Sequence, residues 1–274
     1  MKAKCPVCPH GCILSDGQTG LCGARKNEGG EVRCINYGKI TSCALDPIEK
    51  KPLMRFYPEA AILSVGSFGC NLRCGFCQNH QISMASPDEN VNVYIPPAEL
   101  VEKALEFKEY GNIGIAFTYN EPLIGIEYVE DCSVLAHEKN LKTVLVTNGY
   151  ICDEPFKRIL PRIDALNIDL KGFTGDFYKK LGGDLETVKR TIMTAAGRAH
   201  VEITTLVIPG ENDGEDEMAE MTSWIAGIDA SIPLHLSRFF PRYKYSGRPT
   251  PVETLNKLAD IARKKLKHVY IGNV

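Results

Sequence analysis

Apolar residues gather in short β-rich runs along most of the chain: AILSVG (61–66), IGIAFT (113–118), KTVLVT (142–147), ALNIDL (165–170), VEITTLV (201–207) and PLHLS (233–237). Between the first two the period changes. In PPAELVEKALEFKEYG, Leu100, Ala104 and Phe107 recur at i, i+4 and i+7, one face of a helix. Near the end, Thr250-Pro251-Val252-Glu253 reads as a capping box with proline at the first helical position, and Leu255, Leu258, Ala259, Ala262 and Leu266 make the apolar stripe behind it. Strands alternating with helices predict a parallel sheet with right-handed crossovers. About six such units predict an α/β fold, a partial (β/α)6 TIM-like barrel, over residues 59–274. Residues 1–58 lack the alternation and are expected as a cysteine-rich N-terminal extension; within them 31–44 predicts a hairpin turning near Asn36-Tyr37-Gly38.

Composition narrows the picture. The chain has 274 residues, 44% hydrophobic and 24% charged, which suffices for one large core. Thirty-two Lys and Arg against 34 Asp and Glu leave a net charge of −2, so no basic surface advertises a nucleic-acid partner. The opening MKAKCPVC has no apolar run of the signal-peptide kind, and no stretch approaches the roughly 18 consecutive apolar residues of a membrane span. A cytoplasmic location without a membrane partner is therefore expected. Thiols stay reduced there, so the 11 cysteines favour metal or cluster ligands over disulfides.

Candidate chemistry falls where strands end. GCNLRCGFCQN (69–79) follows the first strand, TYNEP (118–122) the second and TNGY (147–150) the third; Asp169-Leu170-Lys171 closes the fourth, and His235 lies on the last, which runs into Ser237-Arg238. Parallel strands bring such groups to one mouth, however far apart they lie in sequence. Cys70, Cys74 and Cys77 are spaced C-x3-C-x2-C. Thiolates select zinc or iron–sulfur clusters, and structural zinc takes four protein ligands. Three cysteines instead suit a 4Fe–4S cubane with one iron left to bind a small molecule, shielded by Phe76; a zinc knuckle borrowing a distant His or Cys is the alternative. A second group, Cys5, Cys8, Cys12 and Cys22, suits zinc or another iron–sulfur cluster, and spacing does not decide between them. His10 could replace one of these ligands, Cys34 and Cys43 are further candidates, and Cys132 and Cys152 read as inert thiols.

C-x3-C-x2-C after the first strand of a β/α array, with an aromatic before the third cysteine, resembles the radical S-adenosylmethionine (SAM) superfamily. The resemblance implies a 4Fe–4S cluster whose open iron chelates the amino and carboxylate groups of SAM. Reduction then breaks the sulfonium bond, and a 5′-deoxyadenosyl radical takes hydrogen from a protein or small-molecule substrate. TYNEP stands where the superfamily has G-G-E-P beside the SAM amino group, which implies SAM contacts for Tyr119, Asn120 and Glu121, with Tyr119 and Asn120 in place of the glycines. Asn79, Thr147, Asn148, Asp169, Lys171 and His235 match SAM-contacting positions of pyruvate formate-lyase activating enzyme. A narrower resemblance covers nearly the whole chain: CPHGCIL, TGLCGARKN, INYGKITSCALDPIEKKPL, HLSRFFPRYK and GNV are similar to the radical SAM component of the AmmeMemoRadiSam system. It implies Memo-like and AMMECR-like partners and an electron donor of the flavodoxin or ferredoxin type. Two rivals stand beside it: an activase that installs a glycyl radical, although such activases usually carry D-G-P-G-x-R before the cluster and this chain does not, and an iron–sulfur electron carrier or metal-binding interaction module.

Overall fold

The computed structural model describes residues 1–85 and 92–274. Six parallel strands appear where the β-rich runs predict them: Ala61–Gly66, Asn112–Phe117, Lys142–Thr147, Ala165–Asp169, His200–Val207 and Leu234–Arg238. They are hydrogen-bonded in chain order within an eight-stranded sheet. Two strands were not anticipated. Val269–Gly272 adds a seventh parallel strand beside the sixth, and Ser42–Pro47 pairs antiparallel with the first, Ser42 opposite Gly66 and Pro47 opposite Ala61. These two are the sheet's edges, so the barrel is open.

Helices Pro97–Glu106, Ile126–Glu138, Leu185–Ala196, Glu215–Asp229 and Val252–Arg263 connect successive strands, with a shorter Asp153–Ile159 between the third and fourth. Each turns an apolar stripe to the sheet; on the last helix Leu255, Leu258, Ala259 and Ala262 are buried. A leucine fully buried in this way contributes about 1.5–3 kcal/mol. The expected capping box does not form there. Pro251 is the N-cap, and the Thr250 hydroxyl instead donates to the Val207 carbonyl (2.6 Å) while accepting from Phe239 N–H (3.2 Å). Thr250 N–H also donates to the Phe239 carbonyl, so one buried threonine pins both ends of loop 239–250.

The predicted hairpin over 31–44 is displaced. Glu31–Cys34 pairs with Arg25–Glu28, and the turn is Gly29-Gly30. Both glycines have positive φ, +66° and +97°, which a two-residue hairpin turn of the favoured hand requires. Lys39–Ile40 pairs instead with Val93–Tyr94. Residues 1–58 thus divide into a cysteine-rich part and a strand of the main sheet. The loop after that strand crosses under the barrel, where the Pro52 carbonyl accepts from Asn167 Nδ2 (2.8 Å) and the N–H groups of Met54 and Arg55 donate to Glu202 (3.0 and 2.7 Å). Among the described residues no helix is long and apolar enough to cross a membrane.

Candidate functional site

The first strand ends at Gly66 and the chain turns back over the sheet. At Gly69 φ is +90°, and a Cβ there would lie 2.5 Å from the Cys22 carbonyl oxygen. Only glycine allows that approach. Backbone bonds then set the loop: Cys70 N–H donates to Cys22 O (3.1 Å), Arg73 N–H to Leu181 O (2.8 Å), Cys77 N–H to Cys74 O (3.3 Å), and Lys244 N–H to Gly75 O (2.8 Å). Cys74 is buried, and Cys70 and Cys77 are half-buried. Leu72 and Phe76 are buried beside them; the Phe76 ring stacks on Phe177 and meets Tyr245 edge-on. The position expected to screen the thiols from water does lie in an apolar wall.

The second strand delivers TYNEP to the same loop. Tyr119 has φ +72°, the left-handed backbone of a glycine position, held although its side chain is large. Its carbonyl accepts from Asn79 Nδ2 (2.7 Å). Its hydroxyl donates to Asp46 Oδ2 (2.9 Å), and its ring lies under the Lys51 ammonium. Asn120 is spent on the cysteine loop: Oδ1 accepts from Ser67 N–H (2.9 Å) and Nδ2 donates to the Phe68 and Gly69 carbonyls (3.1 and 3.2 Å). Glu121 is buried. Oε1 accepts from Thr147 Oγ1 (2.6 Å) and Leu123 N–H (3.0 Å), and Oε2 from Asn148 N–H (2.7 Å). Burial raises its carboxyl to about 7 against these donors. The carboxylate therefore ties the second strand's end to the third's. Asn148 in turn donates to Asn71 Oδ1 (2.9 Å) and reaches Cys70 Sγ (3.7 Å).

The fourth strand supplies an ion pair, Lys171 Nζ to Asp169 Oδ2 at 2.7 Å. Burial alone would lower Lys171; Asp169, then Cys74, overcome it and raise the group, so the ammonium stays charged. Burial pushes the Cys74 thiol up to about 11, with Lys171 acting the other way, and pushes Cys70 up as well. Buried thiols of this kind ionise only beside positive charge. Three soft sulfur donors on one clamped loop, an apolar wall and a single lysine already shared with Asp169 fit a thiolate-held iron–sulfur cluster.

The structure thus gathers Cys70, Cys74, Cys77, Asn79, Tyr119, Asn120, Glu121, Thr147, Asn148, Asp169 and Lys171 around one mouth. His235 is engaged elsewhere. It shares a register row with Thr204 and Asp169, but its Nε2 meets Glu202 Oε2 at 2.6 Å, one pleat nearer the barrel's other end. Arg238 spends its Nε–H on the Thr250 carbonyl and lies over Phe240. Sequence reasoning missed Asn71, Tyr178, whose hydroxyl accepts from Lys171 N–H (3.0 Å), and Glu202. A signal existed for two of them: Asn71 interrupts the cysteine motif, and Glu202 puts a charge inside a β-rich run.

A family description, the radical SAM superfamily, matches residues 64–222. An uncharacterized protein of Methanocaldococcus jannaschii is 43% identical over 278 residues, covering 100% of this chain and 82% of that one. The pyruvate formate-lyase-activating enzyme of Clostridium pasteurianum is 27% identical over 166 residues, 58% of this chain and 67% of that one. Among solved structures, a radical SAM methyltransferase from Sphaerobacter thermophilus superposes with a TM-score of 0.60 at 20% identity, covering 79% of this chain and 67% of that one; the likeness is one of fold.

Proposed function

Because the chain belongs to the radical SAM superfamily, and is therefore an enzyme that uses a 4Fe–4S cluster and SAM, we propose that Cys70, Cys74 and Cys77 hold that cluster and that the groups around them hold SAM. The observation that carries this reading is the clamped three-thiol loop facing the Asp169–Lys171 pair. Bound together, cluster and SAM would supply the one-electron chemistry that removes hydrogen from a substrate.

The chain's own residues do the rest. Asp169 and Lys171 offer one charge of each sign to a zwitterionic ligand. Glu121 holds Thr147 and Asn148 at their height beside Cys70, and Asn79 fixes the Tyr119 carbonyl. Asn120 acts as a brace for the cysteine loop, with both ends of its amide engaged. Leu72 and Phe76 keep water from the thiols. His235 belongs to the chamber's floor, where Glu202 orients it.

At finer grain we read the protein as the radical component of an AmmeMemoRadiSam-like system, acting with Memo-like and AMMECR-like proteins and a flavodoxin or ferredoxin. Support comes from the near-full-length sequence resemblance. Reconstituted, dithionite-reduced protein is expected to release 5′-deoxyadenosine from SAM, and Cys74→Ala to release none. Release by Cys74→Ala at the wild-type rate overturns the assignment. The pyruvate formate-lyase-activating relative favours a second reading, an activase; a glycyl doublet in the electron paramagnetic resonance of a partner after mixing would mark it.

A further inference from the structure

The N-terminal cysteines remain outside the site described above. Cys5, Cys8, Cys12 and Cys22 line one cavity; three of them are buried and Cys12 is half-buried. Their approach is set by backbone: Cys5 N–H donates to Cys12 O (2.9 Å), and Gly20 N–H to Arg25 O (2.7 Å) folds Cys22 back toward them. Arg25 lines the same cavity and is 4% exposed. Its two terminal nitrogens are taken by Glu127 (2.6 and 2.8 Å), but its Nε–H is buried without an acceptor. Such a donor is costly to leave unpaired, and on a cation it suits an anionic sulfur acceptor.

Four thiols beside a buried cationic donor suit a thiolate-held centre, and a cluster adds inorganic sulfide to the acceptors such a donor can reach. We propose that Cys5, Cys8, Cys12 and Cys22 ligate an iron–sulfur cluster of their own, with Arg25 Nε–H donating to its sulfur.

This centre adjoins the first. The Cys22 carbonyl accepts the Cys70 N–H, so a ligand of one group and a ligand of the other are a single hydrogen bond apart. His10, which reaches the same cavity, bonds through Nε2 to the Asn71 carbonyl (2.8 Å) inside the Cys70–Cys77 loop. The second cluster itself does not depend on the reading of Cys70, Cys74 and Cys77; its coupling to another cluster does.

The full chain and a Cys70→Ala/Cys74→Ala/Cys77→Ala variant are reconstituted anaerobically with iron and sulfide. The variant is expected to keep about half the wild-type iron and sulfide and to give a resonance on dithionite reduction, and reduced wild type to show spin–spin broadening that the variant lacks. A variant without iron, or one that binds zinc in place of iron and sulfide, overturns the proposal. Equal iron in variant and wild type would count against the Cys70 cluster alone and leave the N-terminal one supported. Cys5→Ser/Cys8→Ser should lose the complementary half while keeping SAM-dependent changes in the remaining resonance; full iron retention in it also overturns the proposal.

Discussion

Glu202 is fully buried and accepts from four donors: His200 Nε2 (2.9 Å), His235 Nε2 (2.6 Å), Met54 N–H (3.0 Å) and Arg55 N–H (2.7 Å). Burial opposes its ionisation, but hydrogen bonds from His200 and His235 and the Arg55 N–H hold the carboxyl at about 2, below the ordinary 4.5. A folded value below the unfolded one adds stability at pH above 4.5, and that stability is lost as pH falls through about 2. Glu202→Gln should therefore lower unfolding free energy near neutral pH by about 3 kcal/mol and flatten this part of the acid limb, read by chemical denaturation across the range. An unchanged acid limb in the variant would refute the account. Gly69→Ala should disturb two places at once, because the added methyl meets the Cys22 carbonyl; iron retained per chain after reconstitution should fall, whereas Gly197, with open space around it and φ −80°, should tolerate the same change. Single residues were legible where chemistry is written in the motif itself. That Cys70, Cys74, Cys77, Asp169 and Lys171 share one mouth could be read from their strand-end positions. The bond of His235 to Glu202 could not, because Glu202 lies 33 residues away on a neighbouring strand.

Among the elements, loop 239–250 depends most on one side chain. Thr250 closes it through four hydrogen bonds, two of them made by its hydroxyl, and Lys244 and Tyr245 of the same loop rest on Gly75 and Phe76. Thr250→Val removes the hydroxyl and leaves the Val207 carbonyl and Phe239 N–H without it, a loss of about 1–3 kcal/mol. Amide exchange in 239–249 should quicken while the barrel strands keep their protection; uniform protection would mean that the loop is held by something else. Six strands and the main helices were readable from periodicity because β-branched runs alternate with amphipathic ones. Ser42–Pro47 escaped because SCALDP has proline and aspartate and pairs antiparallel at an edge, where neither is forbidden. Val269–Gly272 escaped by being four residues long. The hairpin was misplaced because Asn36-Tyr37-Gly38 carries turn chemistry, while Gly29-Gly30 satisfies a stricter requirement at both central positions.

At the scale of the molecule, the cysteine-rich part and the barrel have no independent boundary. Ser42–Pro47 lies in the main sheet, and the Cys22 carbonyl accepts a hydrogen bond from the Cys70 N–H. The apo chain under reducing conditions should melt in one calorimetric transition whose van't Hoff and calorimetric enthalpies agree; two resolved transitions would contradict this. Architecture was legible because strand–helix alternation admits few topologies. The joint between the two cysteine groups was not, since it rests on a backbone contact between residues 48 apart at Cys22 and Cys70, and carbonyl positions leave no mark in composition. The grip of Glu202 on Met54 has a bearing on biosynthesis. Its two ends are 148 residues apart, so a nascent chain leaving the ribosome carries the underlying loop long before the carboxylate that anchors it has been translated. Until then the growing barrel is a tube with no bottom, and the vessel in which a radical must be kept dry is sealed only once its fifth wall has been made.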